Sequence, residues 1–173
     1  MQARNLAAAR LSAALQRRLR ADRLTRRPGQ RGQLDKAARL YRQAFHLGDT
    51  TAGYNLACSY QNVGERRTAV RWFRKVLAAG DRSALMPLAL AELYGAGTRR
   101  NVPAAMKKLE VVARGGSWFA PIEREEAMLL VAQCLREGWL VNRDYSAALR
   151  WLRRAARVGS AAAAGLLRDL EAE

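Results

Sequence analysis

Few side chains in this sequence are placed to do covalent or metal chemistry. The single histidine, His46, stands beside Leu47 at the end of a helical pattern, with no cysteine or acid at catalytic or metal-ligand spacing, and reads as structural or solvated. Cys58 and Cys134 stand alone without a CxxC pair, which points to neither a zinc module nor a disulfide framework and favours a reducing compartment. Glu125 and Glu126 are adjacent, so on a helix they point in different directions. With Glu123 they suit the positive end of a helix opened by Pro121 better than they suit paired acid and base work. Gly95-Ala96-Gly97 follows a helical run and lacks the third glycine of a dinucleotide fingerprint, so it reads as a helix stop. The expectation is a non-enzyme with no cofactor and no small-molecule substrate.

What remains is charge. The chain carries 31 lysines and arginines against 15 acids, a formal net charge of +16. Such a surplus attracts polyanions and acidic surfaces, which makes nucleic acid, anionic lipid and acidic proteins plausible partners. Only Lys36, Lys75, Lys107 and Lys108 are lysines, however, and an arginine-favouring codon usage accounts for the same imbalance without any function.

The elements that must position these side chains are set by an internal repeat. Align Gly48, Gly80, Gly116 and Gly159, which are 32, 36 and 43 residues apart. Eleven positions before each stand Ala37, Ala69, Ala105 and Ala148; seven before stand Tyr41, Phe73, Leu109 and Leu152; four before stand Ala44, Val76, Val112 and Ala155. These offsets fall on one side of a 3.6-period helix that stops at the glycine. Intervals of this size indicate helix pairs stacked into a solenoid. The fold class expected is all-α, a right-handed superhelical solenoid of antiparallel helix pairs, with about three full repeats plus flanking helices. The spacing predicts helices from about Arg4 to Arg26, Asp35 to Leu47, Thr50 to Asn62, Arg66 to Ala79, Ala84 to Tyr94, Asn101 to Arg114, Pro121 to Arg136, Asp144 to Val158 and Ser160 to Glu171. Pro28 to Gly32 reads as a linker, which divides the chain into a basic N-terminal segment, 1–33, and a repeat domain, 34–173.

The run Ala127, Val131, Ala132, Leu135, Gly138, Val141, Asp144, Tyr145, Ala148, Trp151, Ala155, Ala156 and Gly159 resembles the Sel-one-like repeat, a relative of the tetratricopeptide repeat. An earlier stretch, Leu56, Ala57, Tyr60, Gly64, Ala69, Phe73 and Asp81, looks closer to a tetratricopeptide repeat. The resemblance covers about residues 35 to 171. It implies a superhelix whose concave face is lined by the first helix of each pair, and an adaptor that holds other proteins together.

Three surfaces are candidates for that work. The concave groove is expected to include Tyr54, Asn55, Cys58, Gln61, Glu92, Arg124 and Met128, unless Tyr54 and Met128 serve as packing. Trp118 and Phe119 lie in a glycine-flanked insertion, either as an exposed anchor for a partner or folded back over the neighbouring helices. The second helices carry cations at matching outward offsets: Arg39, Arg71, Lys107 and Arg150 nine before each aligned glycine, and Arg42, Arg74 and Arg153 six before three of them, with Glu110 at the fourth. Arg150, Arg153, Arg154 and Arg157 share about 100° of arc on one helix. This ribbon reads either as a track for phosphates or acidic side chains or as the polar convex face any solenoid needs. The leading expectation is therefore an adaptor that binds a protein segment, acidic in character, through its groove and loop edge. The alternative is a nucleic-acid-binding or ribonucleoprotein assembly factor. No run reaches the roughly 18 apolar residues of a membrane span. A cytoplasmic location is expected, with the mitochondrial matrix as the alternative, because the arginines from Arg4 to Arg31 and the stripe Leu11, Leu15 and Leu19 are similar to a presequence.

Overall fold

A computed structural model of the chain describes residues 2–25, 31–116, 118–139 and 141–171. Among these every regular element is helical: α1 (Gln2–Thr25), α2 (Arg31–His46), α3 (Thr50–Asn62), α4 (Arg66–Ala78), a single 3-10 turn at Arg82–Ala84, α5 (Leu85–Tyr94), α6 (Val102–Arg114), α7 (Pro121–Glu137), α8 (Tyr145–Arg157) and α9 (Ala161–Glu171). The chain divides into two compact units, Met1–Ala84 and Leu85–Glu173.

The aligned positions form the interiors of both units. All twelve of the small and bulky residues aligned above are at most 2% exposed. The reason is geometric: positions eleven, seven and four before the stop lie on one stripe of a helix, and each stripe faces its neighbours in the stack. The stops themselves repeat. After α2, α4 and α8 a glycine at positive φ (Gly48, Gly80, Gly159) lets the next residue, Asp49, Asp81 or Ser160, donate its N–H back to the carbonyl of Ala44, Val76 or Ala155 at 3.1 to 3.2 Å. That bond satisfies one of the carbonyls a helix end leaves without an internal partner. Gly116 follows Gly115 in the inserted loop, and there the helix closes differently, through the Gly115 N–H to the Val112 carbonyl at 2.9 Å.

In the first unit α1 packs on α2, α2 on α3, and α3 on α4. Of the linker expected at Pro28 to Gly32, only the last two residues are described. Arg31 and Gly32 already belong to α2, and 28–30 lie outside the described residues. Continuing the helix upstream brings Leu34 onto the same stripe as Ala37, Ala38 and Tyr41. α1 is attached by a polar network centred on Asp22. Its carboxylate accepts the Tyr41 hydroxyl at 2.7 Å and the Asn55 amide at 3.0 Å, while Arg18 bridges to Asp49, the N-cap of α3, at 2.8 Å. Burial pushes the Tyr41 phenol well above its ordinary value, so it remains a donor to Asp22. Asp22→Ala would leave two donors without their acceptor. With the Asp22 side chain 24% exposed, water compensates in part, and we expect a loss of about 2 kcal/mol in urea unfolding, less for Asp22→Asn.

In the second unit α5 packs on α6, α6 on α7, α7 on α8 and α8 on α9. Pro87 falls in the first turn of α5, where its missing N–H has no helical partner to lose.

Candidate protein-binding site

A groove opens in the second unit among α7, α8 and α9, where α7 and α9 each pack on α8. Leu129, Ala132, Gln133 and Arg136 recur at helical spacing along one face of α7, Ala162 and Leu166 face them from α9, and Leu152 of α8 forms the floor. The volume is about 300 Å³, at the small end for a ligand pocket and enough for one or two aliphatic side chains. Its polar rim is held by one carboxylate: Glu137 Oε1 accepts the Gln133 amide and pairs with the Arg136 guanidinium, both at 3.2 Å. An apolar floor with a fixed cation and amide at its edge suits a hydrophobic side chain carried on an extended or helical segment whose carbonyls or carboxylates reach Arg136.

The side chains expected in a groove are distributed otherwise. Tyr54, Asn55, Cys58 and Gln61 belong to the first unit, and Glu92, Arg124 and Met128 to the second. The Tyr54 ring packs edge-on to Phe73 with centroids 5.4 Å apart, Asn55 is engaged by Asp22 of α1, and Gln61 is exposed. Burial pushes the Cys58 and Cys134 thiols above their ordinary value, which disfavours the nucleophilic thiolate. Glu92 accepts a charge-assisted bond from Lys108 at 2.7 Å. Arg124 lies over Gly115, where a Cβ would stand 2.6 Å from its Nε.

Three of the candidate side chains are placed as follows. Met128 is fully buried, because it shares the α7 stripe of Ala127 and Val131 that faces the interior; its neighbour Leu129, 100° further round the helix, lines the groove. Phe119 is 6% exposed and folds inward, whereas Trp118 beside it is 54% exposed. Arg154 is not part of an open ribbon: it donates to the Arg114 carbonyl at 3.2 Å and lies over the Trp151 ring, so it binds α8 to the C-terminal end of α6, where free carbonyls attract a cation.

The other cations stand on outer faces. Arg39, Arg42, Arg71 and Arg74 are exposed on α2 and α4, and Lys107, Arg150, Arg153 and Arg157 on α6 and α8. Arg42 donates to the Tyr60 hydroxyl at 2.8 Å and Arg71 to Thr68 at 3.3 Å. His46 is exposed, and among the described residues no group of three or more histidines, cysteines or acids could hold a metal ion. No helix there is long and apolar enough to cross a membrane.

Comparison with known proteins is consistent with this architecture. The Sel1 repeat model matches residues 28–49, 84–107 and 125–160. No curated protein matches. Among solved structures, a Sel1 repeat protein from Oxalobacter formigenes is 22% identical, with a TM-score of 0.59 over 76% of this chain and 55% of its own. The protein c5321, a protective antigen of uropathogenic Escherichia coli with the same repeat fold, is 24% identical, with a TM-score of 0.66 over 91% of this chain and 33% of its own. Helicobacter pylori cysteine rich protein B is 16% identical, with a TM-score of 0.52 over 77% of this chain and 93% of its own. The chain thus spans about half the length of the first and a third of the second.

Proposed function

This chain is a Sel1 repeat protein, and we propose that it is a non-catalytic adaptor that holds a segment of another protein in the groove between α7 and α9. The observation that carries this reading is the groove itself: an apolar cleft of about 300 Å³ lined by α7, α8 and α9, with Arg136 and Gln133 among its residues. Two free cysteines accord with the reducing, cytoplasmic location we assign to it. The experiment is a peptide-display selection on the purified protein, followed by binding isotherms for the enriched peptides. Leu166→Glu, which places a charge in the groove from a half-buried position, should weaken them by about tenfold or more while circular dichroism stays unchanged. Enriched peptides indifferent to this change and to Leu129→Glu would refute the reading.

The second reading, nucleic-acid or ribonucleoprotein binding, is favoured by the exposed cations on α2, α4, α6 and α8. Its signature is a steep loss of affinity with salt, a log-log slope of about −0.7 to −0.9 for each phosphate neutralised. Reversal of Arg150, Arg153 and Arg157 to glutamate should abolish binding in that case and leave groove peptides bound.

A further inference from the structure

The loops that join α5 to α6 and α7 to α8 are built alike, 43 residues apart. Each leaves its helix through a glycine at positive φ, Gly95 or Gly138. The next residue, Ala96 or Trp139, donates its N–H to a carbonyl five residues back, that of Ala91 or Cys134. Further on, Asn101 and Asp144 donate to the carbonyls of Glu92 and Leu135, then cap the following helix with their side chains. Arg100 and Arg143 occupy the same place in the two loops, each with its Cβ close to the glycine.

Against this common frame one residue differs in a way the frame does not require. Trp139 stands where the first loop has Ala96, and its ring reaches the first loop. The Arg100 guanidinium lies over it at 4.5 Å from the centroid, and the Tyr94 ring lies 6.0 Å away, inclined at 48°. Arg100 is fixed a second time by its Nε–H, which donates to the Leu93 carbonyl at 3.1 Å. The guanidinium is therefore oriented before any partner arrives, and Tyr94 beside it is 56% exposed. Arg99 and Arg143 are exposed on the same two loops. The carboxylates next to these loops in the sequence are engaged: Glu92 by Lys108, Glu137 by Arg136, and Asp144 by the Ala147 amide. Tyrosine, tryptophan and arginine are the side chains that dominate interface hot spots, and here they converge on an edge with a surplus of positive charge.

We propose that the Tyr94, Arg100 and Trp139 edge is a second peptide site, which takes an acidic side chain against Arg100 and an adjoining apolar or aromatic side chain across Tyr94. The inference rests on the protein-binding reading above and adds the chemistry of the segment. A carboxylate matches the planar fork of an arginine already held at its Nε and ring face. A nucleobase matches less well, because Arg100 lies over the Trp139 ring and Tyr94 is tilted against it, so the two rings make no open stacking platform.

The test follows the Trp139 indole N–H by NMR while the full chain is titrated with a synthetic peptide of glutamates interspersed with phenylalanine. A second peptide with every glutamate replaced by glutamine and a single-stranded oligouridylate serve as comparisons, all at about 0.15 M salt. The expected result is a saturable shift of Trp139 with the acidic peptide, at least about tenfold weaker with the glutamine peptide and in Arg100→Gln, and several-fold weaker in Tyr94→Ala. Arg143→Gln, at the matching place in the loop between α7 and α8, should give a smaller loss and guards against a folding effect of the other two. Absence of a saturable shift, indifference to Arg100→Gln, or tighter binding of the oligouridylate would overturn the proposal. Leu166→Glu should leave this shift intact; peptides selected for the groove and still bound when the edge is silent would overturn the edge alone.

Discussion

Replacement of Gly53 by leucine should unfold the first unit under conditions where the wild type is stable. Gly53 sits in the middle of α3 with no room for a side chain: a Cβ there would lie 2.5 Å from Phe45 Cδ2 and 2.9 Å from Val76 Cγ2. Those neighbours belong to α2 and α4, so side chains of both flanking helices press on the α3 backbone at this glycine. Phe45 cannot swing aside freely, since its ring also packs edge-on against Trp72 at 5.6 Å. Overpacking of a close-packed interior costs typically about 1–3 kcal/mol, and a leucine at a site that excludes even a methyl belongs at or above the top of that range. Gly53→Ala is the graded control. Its clash is offset by about 1 kcal/mol of better helix propensity, so it should fall between wild type and leucine in a thermal melt followed by circular dichroism.

The second large effect belongs to Leu109. It is fully buried in α6 at the position aligned with Tyr41, Phe73 and Leu152. Leu109→Ala removes buried methyl groups and leaves a cavity that the surrounding helices fill only in part, for an expected cost of about 2–5 kcal/mol in denaturant unfolding of the second unit. Lys107, two residues earlier and exposed, should tolerate alanine to within about 0.5 kcal/mol. Similar costs at both positions would mean that the repeat stripe does not form the interior of this helix.

These two residues also mark how far the sequence carries. Leu109 was legible, because four copies of one offset pattern place a bulky apolar group in each second helix and a single stripe suffices to bury it. Apart from the start of α2, the helix boundaries were legible for the same reason: each glycine stop and each Asn or Asp N-cap is a local signal that acts on its own helix. Gly53 was not, because a glycine inside a helical run carries no mark of which neighbours press on it. None of the seven side chains expected in a groove lines the cleft between α7 and α9. Met128 and Leu129 are adjacent apolar residues on α7, and only the placement of α9 decides which of two faces 100° apart lines a cleft. Arg154 fell within the arc of Arg150, Arg153 and Arg157, yet the end of α6 lies against that side of α8 and takes it out of the exposed set. The Tyr94, Arg100 and Trp139 cluster joins two loops, and the only trace of it in the sequence is the 43-residue echo of Gly95 and Arg100 in Gly138 and Arg143.

The groove and the edge differ in what they ask of a partner. The groove offers apolar volume with one cation at its rim, while the edge offers a fixed guanidinium with an aromatic flank. A partner that satisfied both would present hydrophobic and acidic side chains together, and two modest contacts on one linked segment reinforce each other through effective concentration. Neither contact requires a reactive group, in keeping with the unactivated thiols of Cys58, half-buried, and Cys134, buried.

The most direct test of the account is amide hydrogen exchange on the full chain with and without a saturating peptide selected for binding. Occupation of the groove predicts slowed exchange concentrated in the middle of α7 and along α9, with α2 and α4 unchanged. Slowed exchange on the arginine-bearing faces of α2, α4 and α8, with α7 and α9 exchanging as in the free protein, would contradict it.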